Sequence, residues 1–380
     1  MKNVLKKLAL LTALLAFTAA PLEEVIAQEA KQIFGRMTLP ANLKSQSYGF
    51  YTKGCLAGAV AMPVDGPTWQ TMRLSRNRRW GHPNLIATIE ELSIKANKSG
   101  WNGLLVGDIS QPRGGPMLTG HASHQIGLDA DLWLTPMPNK RMSYQERENT
   151  SAVSILKKGT NFVNDRRWNK SYEKLLYHAA SFREVERVLV HPGIKKKLCE
   201  TVKGDRSWLS KIRPVYGHHY HFHIRLRCQS DSAACKKQTP PPNDTGCGEP
   251  LKWWFDVALA PKKKSTKPAK PSKPTKKRIV TVNDLPNQCR EVVSAGAKSK
   301  EAAEYRAASL SGFAAPQLDL PAKFDPMAVL NSKPIEASQG AKFAKAAPSV
   351  NSSSNNEIRN IIDGFAPITG DIPIPTPRPY

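Results

Sequence analysis

"GHASHQIGLDADLWL" (residues 120–134) opens with two histidines three apart, passes through Gly127 to two aspartates two apart, and closes on an apolar run. Side chains two apart on a strand share a face, so Asp129 and Asp131 point the same way. A second stretch, "GHHYHFHIRLRC" (217–228), has the same design, with His221 and His223 on one strand face. If the two strands are neighbours, imidazoles and a carboxylate converge on one spot. Of nine histidines, six fall in these two places: His121, His124, His218, His219, His221 and His223. Two histidines and an aspartate around an open fourth position are what a catalytic zinc requires, because the open position holds the water to be activated. The bland reading of such residues is surface histidines or a purely structural metal. His82, His178 and His191 stand alone and read as structural.

Working outward, helix and strand alternate. "HPNLIATIEELSIKANKSG" (82–100) carries Leu85, Ile86, Ile89 and Leu92 near a helical period, with Gly100 as a stop, and "YEKLLYHAASF" (172–182) also reads as helix. "GLLVGDI" (103–109) and "VERVLVHP" (185–192) read as strands beside the two already described. Long loops, "RGGPMLTG" (113–120) and "KKGTNFVNDRRW" (157–168), separate them. The fold class is α+β: a small, largely antiparallel sheet flanked by helices and long loops.

Residues 1–27 read as a signal peptide, with Lys2, Lys6 and Lys7 before an apolar run too short for a comfortable membrane span and cleavage after Ala20 or Ala27. The folded body is then 28–260. Residues 261–278 form a Lys/Pro-rich linker, and 279–380, rich in Ala, Ser, Asn and Pro, read as a mostly disordered tail in which only "KSKEAAEYRAASL" (298–310) looks helical. Of the formal net charge of +25, that linker carries a dense, acid-free set of lysines, and its prolines forbid a helix. A lysine-rich tether of this kind outside the cytoplasm is attracted to carboxylate-bearing cell wall or to lipid head groups, and no nucleic-acid-binding pattern lies beside it. Six cysteines in an exported chain imply three disulfides, and none sits in a CxxC pair.

Ser123-His124, Gly127 and Asp131 match the SHxxGxxxD element, and His221-Phe222-His223 the HxH element, of the zinc peptidases that cut peptidoglycan peptides. The chain most closely resembles the penicillin-insensitive murein endopeptidases within that group, which also holds the lysostaphin-type and D-alanyl-D-alanine metallopeptidases. The likeness runs from about Gly54 through "RRWGHP" (78–83), "LVGD" (105–108) and "RPVYGHH" (213–219) to "KWWF" (252–255). It implies a D-alanyl-D-alanine metallopeptidase/Hedgehog-like fold for the 28–260 domain. It also implies His124, Asp131 and His223 as zinc ligands, His121 as a further metal-associated histidine, His221 as the base and His218 close to the metal. Asp129 is then support for a ligand or a strand polar group. Implied disulfides are Cys55–Cys289, Cys199–Cys247 and Cys228–Cys235. In one respect the chain departs from the family: the loop "KKGTNFVN" (157–164) lacks the Asp and His that hold a second metal in relatives.

The resemblance implies hydrolysis of D-alanyl to meso-diaminopimelyl cross-links, with some diaminopimelyl to diaminopimelyl cleavage, in a periplasmic enzyme whose partner is peptidoglycan. No HExxH glutamate is present to act as base, which leaves His221. Arg73, Arg113 and Arg225 are basic groups that could receive substrate carboxylates, although each is more commonly a plain surface or strand-edge charge. The alternatives are a D,D- or L,D-carboxypeptidase of the same zinc fold, or a non-catalytic peptidoglycan-binding protein. A serine penicillin-binding enzyme is excluded by order: "SILK" (154–157), "KSG" (98–100) and "SSN" (353–355) do not follow the required sequence.

Overall fold

In the computed structural model, residues 28–261 and 278–305 are described. The expected signal peptide, nearly all of the linker and the tail beyond 305 lie outside them. The strands are β1 (Gln46–Phe50), β2 (Lys53–Ala57), β3 (Val60–Ala61), β4 (Asp65–Gly66), β5 (Trp69–Thr71), β6 (Trp80–Gly81), β7 (Leu104–Val106), β8 (Asp129–Trp133), β9 (Val185–Val190), β10 (Ile212–Pro214) and β11 (His221–Leu226). The helices are α1 (Ala30–Arg36), α2 (Pro83–Lys98), α3 (Tyr144–Asn149), α4 (Lys170–Ser181), α5 (Pro192–Thr201), α6 (Glu249–Trp253), α7 (Gln288–Ser294) and α8 (Lys300–Ala303). The fold is α+β, with a seven-stranded sheet in the order β10-β9-β11-β8-β7-β5-β4. Only the β10–β9 and β5–β7 pairings are parallel.

The two motif strands are adjacent and antiparallel at the middle of this sheet. Their register sets His223 opposite Asp131, Arg225 opposite Asp129 and His221 opposite Trp133. Alternation sends Phe222, Ile224 and Leu226 of β11 and Ala130 and Leu132 of β8 into the main core, where all are buried. The opposite face keeps the histidines and aspartates.

Helix α2 buries Leu85, Ile86, Ile89, Leu92 and Ala96, and α4 buries Leu175, Leu176, Ala179 and Ala180 in the same core. His82 caps α2, its Nδ1 accepting from the Asn84 amide at 3.3 Å, with Pro83 in the first turn. His191 caps α5 in the same way, from the Gly193 amide at 3.0 Å.

A second, smaller core joins the two ends of the described chain. Phe34 and Ile33 of α1 pack with Val282, Leu285, Val292 and Cys289, and the Cys55–Cys289 disulfide staples the cluster to β2. The domain therefore continues past the linker: residues 278–305, which by composition read as the start of the tail, belong to it. Only Lys300–Ala303 of the helical stretch 298–310 is helix within the described residues; Tyr305 then donates its amide to the Ala61 carbonyl. The other two disulfides join Cys199 to Cys247 and Cys228 to Cys235.

Candidate metal centre

The loop leading into β8 is held in a conformation that most residues avoid. Gly127 has φ +68°, and a Cβ there would lie 2.4 Å from Leu56, so only glycine fits. His124 adopts φ +67° with a side chain, and three contacts hold it: its amide donates to Asp129 Oδ2 at 3.1 Å, its carbonyl accepts from Ser110 Oγ at 2.5 Å, and its Nδ1 meets the Ile109 carbonyl at 2.5 Å. A carbonyl can only accept, so Nδ1 carries the proton and Nε2 is left as a lone-pair donor. That Nε2 is buried with no hydrogen-bond partner, 3.5 Å from Asp131 Oδ1.

His223 is set by the same logic from the other strand. Its Nε2 donates to Asp129 Oδ1 at 2.8 Å, which turns Nδ1 toward Asp131 Oδ1 at 3.3 Å. Asp129 is held in turn by Arg225 Nε at 2.6 Å, and that guanidinium lies 4.1 Å from the Tyr51 ring centre. Burial would raise the pKa of Asp129, but Arg225 and His223 hold it well below the usual carboxylate range. Asp129 is therefore the ion that orients one candidate ligand and the backbone of another.

Asp131 is the hub. Its Oδ1 faces His124, His223 and, at 3.6 Å, His221 Nε2, while Oδ2 faces His121 Nδ1 at 3.5 Å. Burial pushes its carboxyl up, yet His221, His124 and His121 outweigh that and keep it ionised. One donor atom each from His121, His124 and Asp131 lie within 4.8 Å of one another, the only such group among the described residues. Buried polar atoms without partners are rare. Here His124 Nε2, Asp131 Oδ1 and His221 Nδ1 all lack one. Imidazole and carboxylate donors suit a first-row divalent cation, so the residues present fit a metal.

His221 and His218 form the adjoining wall, with rings 4.8 Å apart. Burial pushes His221 down to about 4, and burial followed by its histidine neighbours pushes His218 well below the ordinary value. Both imidazoles are thus neutral at neutral pH. Burial also opposes charge on His223, but Asp129 and Asp131 beside it raise its pKa.

The structure brings His121, His124, Asp131, His223, His221 and His218 together and leaves out His219, whose Nδ1 pairs with Ser154 Oγ at 2.9 Å. His178 pairs with Ser99. The three arginines considered for substrate carboxylates are engaged by the protein. Arg113 donates to the carbonyls of Leu39, Val292, Val293 and Ala295, closing the C-terminal end of α7. Arg73 donates to the carbonyls of Arg147 and Thr150. In the loop 157–164, Leu156 and Val163 form a bridge and Phe162 stacks on Phe255. A residue not singled out from the sequence, Asp108, takes His121 Nε2 on Oδ2 at 2.9 Å. Its sequence signal is a carboxylate ending an apolar strand in "LVGD", with "RNRRW" (76–80) to neutralise it.

Residues 47–294 match the family described as penicillin-insensitive murein endopeptidase. Relatives bearing that description include a protein of Haemophilus influenzae, 45% identical over 56% of this chain and 74% of its own length. Another, from Yersinia enterocolitica, is 41% identical over 61% of this chain and 83% of its own. A third, from Klebsiella pneumoniae, is 37% identical over 70% and 92% respectively.

Proposed function

Since the chain belongs to the penicillin-insensitive murein endopeptidase family, we propose that it is a zinc enzyme that cuts D-alanyl to meso-diaminopimelyl cross-links of peptidoglycan. It is a murein endopeptidase; the metal, the bond and the residue roles are our reading. The observation that carries this reading is the Asp131 carboxylate, buried among four imidazole rings, with its unpartnered Oδ1 3.5 Å from the unpartnered Nε2 of His124. His124, Asp131 and His223, with His121, would hold the ion. Such an ion supplies Lewis acidity to an amide carbonyl and acidifies a water molecule toward neutral pH.

The chain's own residues do the rest. His221 takes the proton of the attacking water at Nε2, the nitrogen that faces Asp131, and returns it to the departing amine. Its low pKa keeps it neutral and able to accept. His218, whose Nδ1 donates to the Tyr216 carbonyl at 2.9 Å, lines the same wall as an orienting group with its ring 4.8 Å from that of His221. Asp129 orients the His223 ring through Nε2. We place the enzyme in the periplasm, exported by residues 1–27, with the Lys/Pro segment 261–278 tethering it to anionic wall.

The test is digestion of a defined dimeric muropeptide by the purified mature chain, with mass analysis of products. Chelation should stop cleavage, zinc should restore it, and penicillin should leave it unchanged because no serine is acylated. Chelator-resistant or penicillin-blocked cleavage would overturn the zinc reading. Release of terminal D-alanine alone would make the enzyme a carboxypeptidase, and intact dimer would make the chain a binding protein.

A further inference from the structure

We propose that Asp108 is a positioning residue: with Arg78 it locks His121 as a metal donor through Nδ1. This rests on the zinc peptidase reading above and extends it to a carboxylate outside both sequence motifs.

The two sides of the centre are built alike. On one, Asp129 holds His223 by Nε2, leaves Nδ1 toward Asp131, and is itself held by Arg225. On the other, Asp108 holds His121 by Nε2 at 2.9 Å, leaves Nδ1 toward Asp131 Oδ2 at 3.5 Å, and is held by Arg78 at 2.9 Å and Arg76 at 3.1 Å. Asp108, Arg78 and Asp129 are all buried. A carboxylate can only accept, so each fixes the proton on Nε2 of its histidine and leaves Nδ1 as the lone-pair donor.

The backbone ties Asp108 to the hub. Its carbonyl accepts the Asp131 amide at 3.0 Å, and the Gly107 amide donates to the Asp131 carbonyl at 2.8 Å. Arg78 reaches both partners: Nη1 is on Asp108, and Nη2 donates to Thr119 O at 2.8 Å and Thr119 Oγ1 at 3.1 Å, two residues before His121. One guanidinium therefore sets both the loop that carries the histidine and the carboxylate that reads its ring. The loop needs this support, because Gly120 at φ +84° gives the chain no side-chain anchor immediately before His121. His124 has no need of such a pair, since the Ile109 carbonyl fixes its tautomer.

Zinc affinity of the full mature chain, measured by competition with a chromophoric chelator, tests this in a double-mutant cycle. Asp108→Asn keeps the size and one acceptor but removes the charge. It should weaken zinc binding about 10- to 100-fold, the usual cost of losing a carboxylate behind a metal-bound histidine. In a His121→Ala background the same change should cost less than about 2-fold. An equal loss in both backgrounds, or none in either, would overturn the proposal, since Asp108 would then serve the fold or nothing. A readout independent of any variant is the ¹⁵N signature of the His121 ring in zinc-loaded wild-type protein. Metal on Nδ1 with a protonated Nε2 supports the assignment, and metal on Nε2 overturns it. Wild type that binds no zinc would sink the parent reading and this one together. Zinc-dependent cleavage without coupling between Asp108 and His121 would sink this one alone.

Discussion

Two regions of the sheet bury charge, and they do it in opposite ways. At the β4 and β5 edge, Arg147 of α3 is wholly buried and spends every donor: Nε on Met142 O, Nη1 on Val64 O and Thr71 O, Nη2 on Asp65 Oδ1 and Gln70 Oε1. At the centre of the sheet, Asp131 and the histidines around it leave His124 Nε2, Asp131 Oδ1 and His221 Nδ1 without hydrogen-bond partners. The first arrangement is closed and can bind nothing more. The second leaves buried polar atoms unsatisfied around one carboxylate, with Asp129, Ile109 O and Asp108 engaged behind its histidines. Burial alone therefore does not mark a functional charge; incomplete satisfaction of a well-braced cluster does.

Substitution on the two sides should separate function from fold. His124→Ala or Asp131→Asn should lower muropeptide hydrolysis by about 10³-fold or more, since the charge stabilisation lost with the metal amounts to several kcal/mol. The metal-free variants should unfold in urea no earlier than metal-free wild type. Arg147→Met should do the reverse. It leaves Asp65 with Arg141 alone and takes the donor from the Met142, Val64 and Thr71 carbonyls, and should cost about 3 to 5 kcal/mol of stability, while zinc content per folded molecule stays at one level with wild type. If His124→Ala unfolded the protein, or Arg147→Met released zinc from folded chains, the division drawn here would be wrong.

A finer cut lies within the open cluster, between groups that hold and groups that turn over. His221→Ala should keep zinc and lower turnover about 100-fold, the lower end of the scale for a general base. Zinc content and initial rates measured on the same preparation decide it. Loss of zinc would move His221 from base to ligand.

Much of the open cluster was legible because its signal is periodic. Asp129, Asp131, His221 and His223 alternate with apolar residues, and that pattern predicts both strands and the shared face. What joins them was less legible. Asp108 and Arg78 reach the centre from separate segments, and nothing local in "LVGD" tells a ligand's support from a strand-end charge. Arg113 looked able to take a substrate carboxylate because an isolated arginine does not reveal that carbonyls of α7 occupy it. The segment 278–305 was hidden by the Ala-, Ser-, Asn- and Pro-rich composition of the whole stretch 279–380, in which only Cys289 marked a tie back to the body. Its place in the fold depends on a few apolar residues, Val282, Leu285 and Val292, meeting α1 across a distant part of the chain. β3 and β4, two residues each, are too short to carry any alternation at all.

A third buried charge, Glu90 on α2, belongs to neither class and gives the smallest effect. It is buried, Oε1 has no hydrogen-bond partner, and burial alone pushes its pKa up to about 7 from 4.5. No cluster of donors surrounds it, so it reads as a tolerated cost rather than a site. A folded-state pKa above the unfolded one means that the native state binds the extra proton. Stability from that proton is full below about pH 4.5 and is lost as pH rises through about 7. Glu90→Gln stays neutral throughout and should be more stable than wild type at pH 8.5. The interval between 4.5 and about 7 sets a ceiling of about 3 kcal/mol. A buried, unpartnered amide keeps part of that penalty, so a gain of about 1 to 2 kcal/mol is expected. Urea unfolding of both proteins at pH 8.5 and pH 4.5 checks this: the difference should shrink toward zero at the lower pH. A difference of the same size at both would mean that Glu90 acts through packing, and the contrast between braced, open charge and unbraced charge would lose its third case.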